Sequence, residues 1–269
     1  MLRGLQPVCL ILFAVAAHPR YPLVLAANRD EFFARPSAPA GPWPDAEHIV
    51  GGRDLEKGGS WLALARGGRL AAVTNFRDGT CKKSGARSRG MLIKDFVTSR
   101  ERPREFLESV QVRADQYDGF NLIVAERSEV WHFNNVDRRI AQVEPGVHGL
   151  SNHLLDTPWP KVAKGKAALA SALCGPSEDL VAHLFDALRE DRLAPDHELP
   201  STGVSKEWER VLSPAFIATP TYGTRASTVV LVEASGAASL IERSYDPGES
   251  DQPLVRSFQL PAPAPVPTP

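Results

Sequence analysis

Two apolar runs open the chain. Residues 9–15 and 21–27 are of strand length, lack polar alternation, and flank His18-Pro19-Arg20, which reads as a turn. Strands that are apolar at every position have both faces covered, so this hairpin is expected inside a layered structure. A second hairpin joins residues 61–65 to 69–75 through Gly67-Gly68, and a third joins residues 120–125 to 130–134. Further short strands are expected at 138–143, 147–151, 215–219, 227–233 and 238–244, the last two joined at Ser235-Gly236. Helical spacing covers 90–99, with Met91, Phe96 and Val97 on one face, and 103–110, with Pro103 near its start. Residues 158–173 form a third helix, with Thr157 as N-cap, Pro158 at the first position and Gly175 just beyond its end; Ser177 caps a fourth over 177–189. Residues 33–43, rich in Pro and Ala without a periodic face, read as surface loop, as do 78–89 and 193–203. Gly51-Gly52 and Gly58-Gly59 read as tight turns near a site mouth, and 261–269 as a disordered Pro/Ala tail. Strands, helices, strands, helices, strands, with many direct hairpins, predict an α+β architecture. Its two mostly antiparallel sheets pack together with helices outside, as one domain over residues 9–260.

Composition narrows the function classes. The chain has 269 residues, 43% apolar and 23% charged, which is ordinary for a globular protein and enough for a large core without staples. A net charge of -1 gives no basic excess for nucleic acid. The one basic cluster, Lys82, Lys83, Arg87 and Arg89, reads as a solvated loop. Three widely spaced cysteines, Cys9, Cys81 and Cys174, argue against a disulfide scaffold and a Cys-x-x-Cys metal site, and point to a reducing, cytoplasmic setting. Arg3 followed by the apolar run 8–17 imitates a short secretory signal, with Ala14-Val15-Ala16 as a cleavage box. A single positive charge precedes that run, however, and it continues after a turn as a buried hairpin would. No segment reaches the ~20 apolar residues of a membrane span. No metal site, phosphate loop or dinucleotide fingerprint is present, and no cofactor is expected.

Chemistry concentrates at the end of the second strand, in Asn28-Arg29-Asp30-Glu31. Such a polar run is ordinarily a strand leaving for solvent. In a tight hairpin, though, the end of strand two lies beside the start of strand one, and strand one starts at Cys9. Arg29 and Asp30 are therefore expected near the Cys9 thiol. A neighbouring cation favours the thiolate, whereas Asp30 alone opposes it. A single cysteine in an apolar run is otherwise an inert core residue.

The ordered stretches are Cys9 to Phe13, Leu25 to Phe32, Arg35-Pro36, Gly51 to Asp54, Gly58 to Leu62, Ala72 to Arg77, Arg89-Gly90, Gly119 to Leu122, Gly149 to Asn152, Thr157 to Lys161 and Tyr222 to Arg225. Together they closely resemble the signature of the NRDE family, also called the transport and Golgi organisation protein 2 family. Animal members of that family are linked to Golgi organisation and to haem trafficking or lipid metabolism. The pattern is also similar, more distantly, to N-terminal-nucleophile hydrolases of the bile-salt and penicillin V acylase type, which have an αββα four-layer sandwich and begin at a cysteine. That resemblance implies a catalytic set of Cys9, Arg29, Asp30, Asn75, Asn152 and Arg225, with Asn28, Trp61, Phe76 and Asn121 around a small-molecule substrate. The free α-amine of an N-terminal cysteine acts as its own base, Asn75 with Asn152 or a main-chain N–H holds the oxyanion, and Arg225 steadies the site or binds a substrate carboxylate.

Each implied role has a structural rival. Asn75 and Asn152 are also the kind of residue that ends a strand by bonding the backbone, and Arg225 also suits a structural ion pair. The function classes are an amidohydrolase acting on a non-peptide amide C–N bond, a non-catalytic carrier of haem or a lipid-like ligand on the same fold, and a structural or interaction protein. The sequence departs from the resemblance in one respect. Eight residues precede Cys9, so the resemblance implies cleavage before Cys9, or a start at Val8, valine being encoded by the alternative start codon GTG.

Overall fold

The opening hairpin forms as its apolar runs require, and it runs on further than they indicate. The computed structural model describes residues 9–77, 85–245 and 253–263; expectations for 1–8, Cys81, Lys82, Lys83 and 264–269 lie outside the described residues. β1 (Cys9–Val15) and β2 (Leu23–Phe32) pair antiparallel, with Cys9 opposite Arg29 and Val15 opposite Leu23. Asn28, Arg29, Asp30 and Glu31 do not leave for solvent. They remain in the strand, each no more than 6% exposed, because β11 (Tyr222–Val232) covers the other edge of β2 along its length.

Around this hairpin a six-stranded sheet assembles in the order β10 (Gly146–Leu150), β1, β2, β11, β12 (Ala238–Ser244), β13 (Leu254–Leu260). The second sheet has seven strands in sequence order: β3 (Ser37–Trp43), β4 (Ala46–Asp54), β5 (Leu62–Ala65), β6 (Arg69–Asn75), β7 (Phe120–Glu126), β8 (Glu129–Asn134) and β9 (Arg139–Gln142). Every paired strand is antiparallel.

The two-residue period of each strand sorts its side chains between layers. Ile11, Phe13, Leu25, Leu64, Leu70 and Ala72 meet in the core between the sheets. Leu10, Leu12, Val24 and Ala26 point outward under α3 (Pro160–Cys174) and α4 (Leu180–Leu188). Ala63, Ala71 and Val124 point the other way, under α1 (Gly90–Thr98) and α2 (Pro103–Val112). The layers run helix, sheet, sheet, helix, so the α+β sandwich expected from the sequence is the one formed. No helix among the described residues is long and apolar enough to cross a membrane.

Several local expectations fail, each for a physical reason. Residues 37–43 are not loop. They make the edge strand β3, where Pro39 and Pro42 are tolerated because no strand lies beyond it to need their missing N–H groups, and the β3–β4 register slips twice. Gly51 and Gly52 lie within β4, not in a turn. A Cβ on Gly51 would sit 2.6 Å from the Leu62 carbonyl oxygen, so glycine is there to let β5 approach. Gly58, at φ 76°, does occupy a turn. Residues 215–219 give one isolated bridge, Ala218 to Gly223, and no strand. α3 begins at Pro160 behind Trp159, without side-chain capping by Thr157, and α4 begins at Leu180 behind Asp179. β13 and the short helix α5 (Lys206–Val211) carry too little periodicity to be read in advance.

Candidate active site

Cys9 is the first residue of β1, and it shares the inter-sheet face with Arg29 directly opposite. The Arg29 guanidinium lies over the Trp61 ring at 4.1 Å, donates from Nη1 to Ser37 Oγ at 3.2 Å, and faces Glu31 Oε2 at 3.8 Å. Asp30 turns the other way. Its Oδ1 accepts a 2.7 Å hydrogen bond from Thr224 Oγ1, while Oδ2 is buried with no hydrogen-bond partner. On the same side, Lys161, in the first turn of α3, buries an ammonium that also lacks a hydrogen bond. One oxygen of a carboxylate and an ammonium, both without hydrogen-bond partners, therefore lie buried beneath the start of β1. Burial pushes the Asp30 carboxyl above its ordinary range, with Lys161 opposing, and burial pushes the Lys161 amine below its own, with Asp30 opposing.

The main chain of Cys9 is held by the segment that follows β10. Its N–H donates to Asn152 Oδ1 at 3.3 Å, and its carbonyl accepts from Ser151 Oγ at 2.9 Å. Asn152 Nδ2 donates to the Asn75 carbonyl at 3.0 Å, and Thr74 Oγ1 donates to the Ser151 carbonyl at 2.7 Å. The end of β6 is thereby tied to the start of β1 across the two sheets.

The thiol is not poised as a thiolate. Burial pushes it up to about 12 and the Asp30 carboxylate adds to that; the Asp30 main-chain N–H and the Arg29 guanidinium pull down without prevailing. The sequence left the balance between Arg29 and Asp30 open; Arg29 also faces a carboxylate of its own strand, Glu31, and its pull on the thiol does not offset burial. A polar cavity of about 340 Å³ opens over this corner, bordered by Cys9, Arg29, Asp30, Trp61 and Asn75.

The other expected site residues lie apart from the cavity wall. Arg225 is beside Arg29, in a crevice with Ser37 and Glu242, and its Nη1 donates to the Arg35 carbonyl at 2.6 Å. Asn28 donates to the Leu188 and Ala215 carbonyls at 2.8 and 2.7 Å, anchoring the end of α4. Phe76 stacks on His153 at 5.0 Å. Asn121 bonds Thr74, His132, His153 and Asn134 in a network buried except at His153. Sequence reasoning missed Lys161 as a site residue. Its stretch, Thr157 to Lys161, reads as a helix start, and the available signal was a lysine one residue before the buried Val162. It also missed Arg35, whose guanidinium sits among Asp54 at 2.6 Å, Glu56 at 3.4 Å and Glu31 at 3.6 Å on the cavity rim.

Trp61 covers Gly52. A Cβ on Gly52 would lie 2.0 Å from the indole, so Gly52→Ala is expected to force the ring off Arg29. A cost of about 1–3 kcal/mol follows from overpacking, and chemical denaturation with tryptophan fluorescence checks both effects; unchanged stability and spectrum would contradict them.

Comparison with known proteins adds the following. Residues 8–247 match the family described as Transport and Golgi organisation 2. The chain is 37% identical over 259 residues to the Transport and Golgi organization protein 2 homolog of Bos taurus, covering 88% of this chain and 93% of that one. It is 34% identical over 261 residues to the Homo sapiens homolog, with 88% and 93% covered. A solved mutant of the conjugated bile acid hydrolase from Clostridium perfringens is similar over 94% of this chain and 92% of its own, at 8% identity and a TM-score of 0.48.

Proposed function

The chain belongs to the Transport and Golgi organisation 2 family, and we propose that this member is an amidohydrolase whose nucleophile is Cys9. The observation that carries the reading is the Cys9 corner itself. Cys9 lines the cavity, and Asn152 Oδ1 holds its main-chain nitrogen at 3.3 Å.

In a chain that begins at Cys9, that nitrogen is an amine of ordinary pKa near 8 and can take the thiol proton. The thiolate attacks an amide carbonyl carbon, and the carbonyl oxygen becomes an oxyanion facing the Asn75 side-chain amide. The C–N bond then breaks. The ammonium returns its proton to the leaving amine, and a thioester to Cys9 remains. Water, deprotonated by the same amine, attacks the thioester, releasing a carboxylic acid and restoring the thiol. Asn152 orients the amine throughout, and Arg29 and Asp30 set the field around the sulfur.

What weighs against a haem or lipid carrier is the cavity wall, where Arg29, Arg35, Asp54, Glu56 and Lys57 stand. A lipid tail or a haem ring would desolvate these charges without pairing them.

The test compares chains beginning at Cys9 with their Cys9→Ser counterpart on a library of linear amides. Turnover at least 10²-fold above the serine variant, with a thioester adduct visible by mass spectrometry, is expected. Absence of both adduct and turnover in the Cys9-initial chain would remove the proposal.

A further inference from the structure

Two spaces of opposite character meet at the Cys9 sulfur. One is the charged cavity of about 340 Å³. The other is a hollow of about 10 Å³ between the sheets, walled mainly by the apolar Ile11, Ala27, Leu62, Ala72 and Val73, with Asn28 and Thr228 also on its wall, and shared with Cys9, Arg29 and Trp61. At about 10 Å³ the hollow is at the lower end of the ~10–15 Å³ that a single water needs, so it admits no substituent longer than one carbon. Its boundary is firm. The Trp61 ring rests against Gly52, where even a Cβ would collide, and carries the Arg29 guanidinium 4.1 Å from its centroid.

The charges of the larger cavity are unevenly placed. On the rim formed by β2, β4 and the turn after it, Arg29, Arg35 and Lys57 face Glu31, Asp54 and Glu56, and the Arg35 ion pairs span 2.6 to 3.6 Å. On the wall before α1, Arg87 and Arg89 face Asp118 among the described residues. Arg87 Nη1 donates to the Gln116 side-chain oxygen and Arg89 Nη1 to the Gly119 carbonyl, each at 3.1 Å. Among the described residues that wall carries two cations to one anion and the rim three to three, while Asp30, which also lines the cavity, turns its carboxylate away toward Thr224.

Chemistry assigns the two spaces to the two halves of an amide. The acyl carbon bonds the sulfur, so its substituent must lie in whatever space adjoins the sulfur away from solvent, which is the hollow. The leaving amine departs first and must occupy the open side, which is the charged cavity. Resting on the hydrolase reading, we infer that the site takes a short-chain acyl amide, of formyl or acetyl size, whose leaving amine carries a carboxylate, as in an N-acetylated amino acid. A long acyl chain finds no space beside Cys9. A carboxylate on the leaving side neutralises the wall that carries Arg87 and Arg89 and accepts charge-assisted hydrogen bonds there.

The test uses N-acetylglycine, N-octanoylglycine and the uncharged N-acetylethanolamine in two assays. The first is turnover by the chain beginning at Cys9. N-acetylglycine is expected to exceed each of the others at least tenfold in kcat/KM, and Trp61→Ala, which enlarges the hollow, is expected to raise N-octanoylglycine relative to N-acetylglycine about tenfold. The second is protection of Cys9 in the full chain from a neutral alkylating reagent at pH 9, read by mass spectrometry, which reports binding without chemistry. Protection by N-acetylglycine in the absence of any turnover keeps the ligand class and removes the hydrolase reading. Better turnover of, or better protection by, N-octanoylglycine or N-acetylethanolamine in the unsubstituted protein overturns the ligand class, and failure of all three to protect overturns it as well.

Discussion

Alkylation of Cys9 by iodoacetamide in the full chain is expected to be about 10³-fold slower at pH 7 than that of an ordinary thiol of pKa ~8.5, and to keep rising to about pH 12. The rate follows the thiolate fraction, roughly 10⁻⁵ for a thiol at about 12 and roughly 10⁻² for an ordinary one. The exposed Cys174 supplies an internal reference. Asp30→Asn removes a carboxylate that raises the thiol, so the inflection should move down. A chain beginning at Cys9 should react faster at neutral pH than the full chain, because an amine then stands beside the sulfur. A full-chain profile that levels off near pH 8 would show that burial does not govern this thiol. The point matters for mechanism: a nucleophile that is protonated at rest needs a base in contact with it, and a cation on the neighbouring strand is not enough.

The second large effect concerns the interior behind the site. Asp30→Ala removes the buried carboxylate that Thr224 bonds and that most favours the charge on the Lys161 ammonium. Leaving the Thr224 hydroxyl without its acceptor and the buried Lys161 ammonium without that carboxylate costs about 1–3 kcal/mol, which lowers Tm by roughly 2–12 °C in a chain of this size. Asp30→Asn, which can keep the Thr224 contact, should cost less.

The pH dependence has a definite sign. Burial raises Asp30 in the folded chain above its ordinary 3.8. Above that value the folded state therefore binds more protons than the unfolded one, and the Asp30 contribution to stability declines as pH rises from the ordinary carboxylate range toward the raised one. Urea unfolding of the wild type and Asp30→Asn from pH 4 to 7 isolates this contribution as the difference between the two. A difference that stays flat, or a wild type that gains on the variant with rising pH, would contradict the buried-pair description.

Much of the architecture is legible in the residues because the physics is local. Strand length, the period of two, the glycine-pair turn at Gly67-Gly68 and the Pro-to-Gly span of α3 each depend on neighbours a few positions away. Ile11 and Leu12 are both apolar, which says that both faces of β1 are covered, and they do enter different cores. Edge strand β3 escaped detection because its prolines signal loop unless one knows that no strand lies beyond it. The candidate site was half legible: hairpin geometry alone put Arg29 beside Cys9, since antiparallel pairing makes the start of one strand the neighbour of the end of the next.

What remained hidden is everything that depends on which face a strand residue takes and on what packs there. Arg29 and Asp30 are adjacent in sequence, yet one turns toward Trp61 between the sheets and the other toward Lys161 beneath α3. Sequence determined the sandwich and brought a sulfur next to a guanidinium, because both follow from short-range backbone pairing. Only the tertiary structure decided the ionisation of that sulfur, the partner of Asp30 and the size of the space at Cys9. Burial and the face each residue takes set the first and last of these, and Asp30 meets Lys161 and Thr224 from more than a hundred positions away, none of which a local pattern encodes.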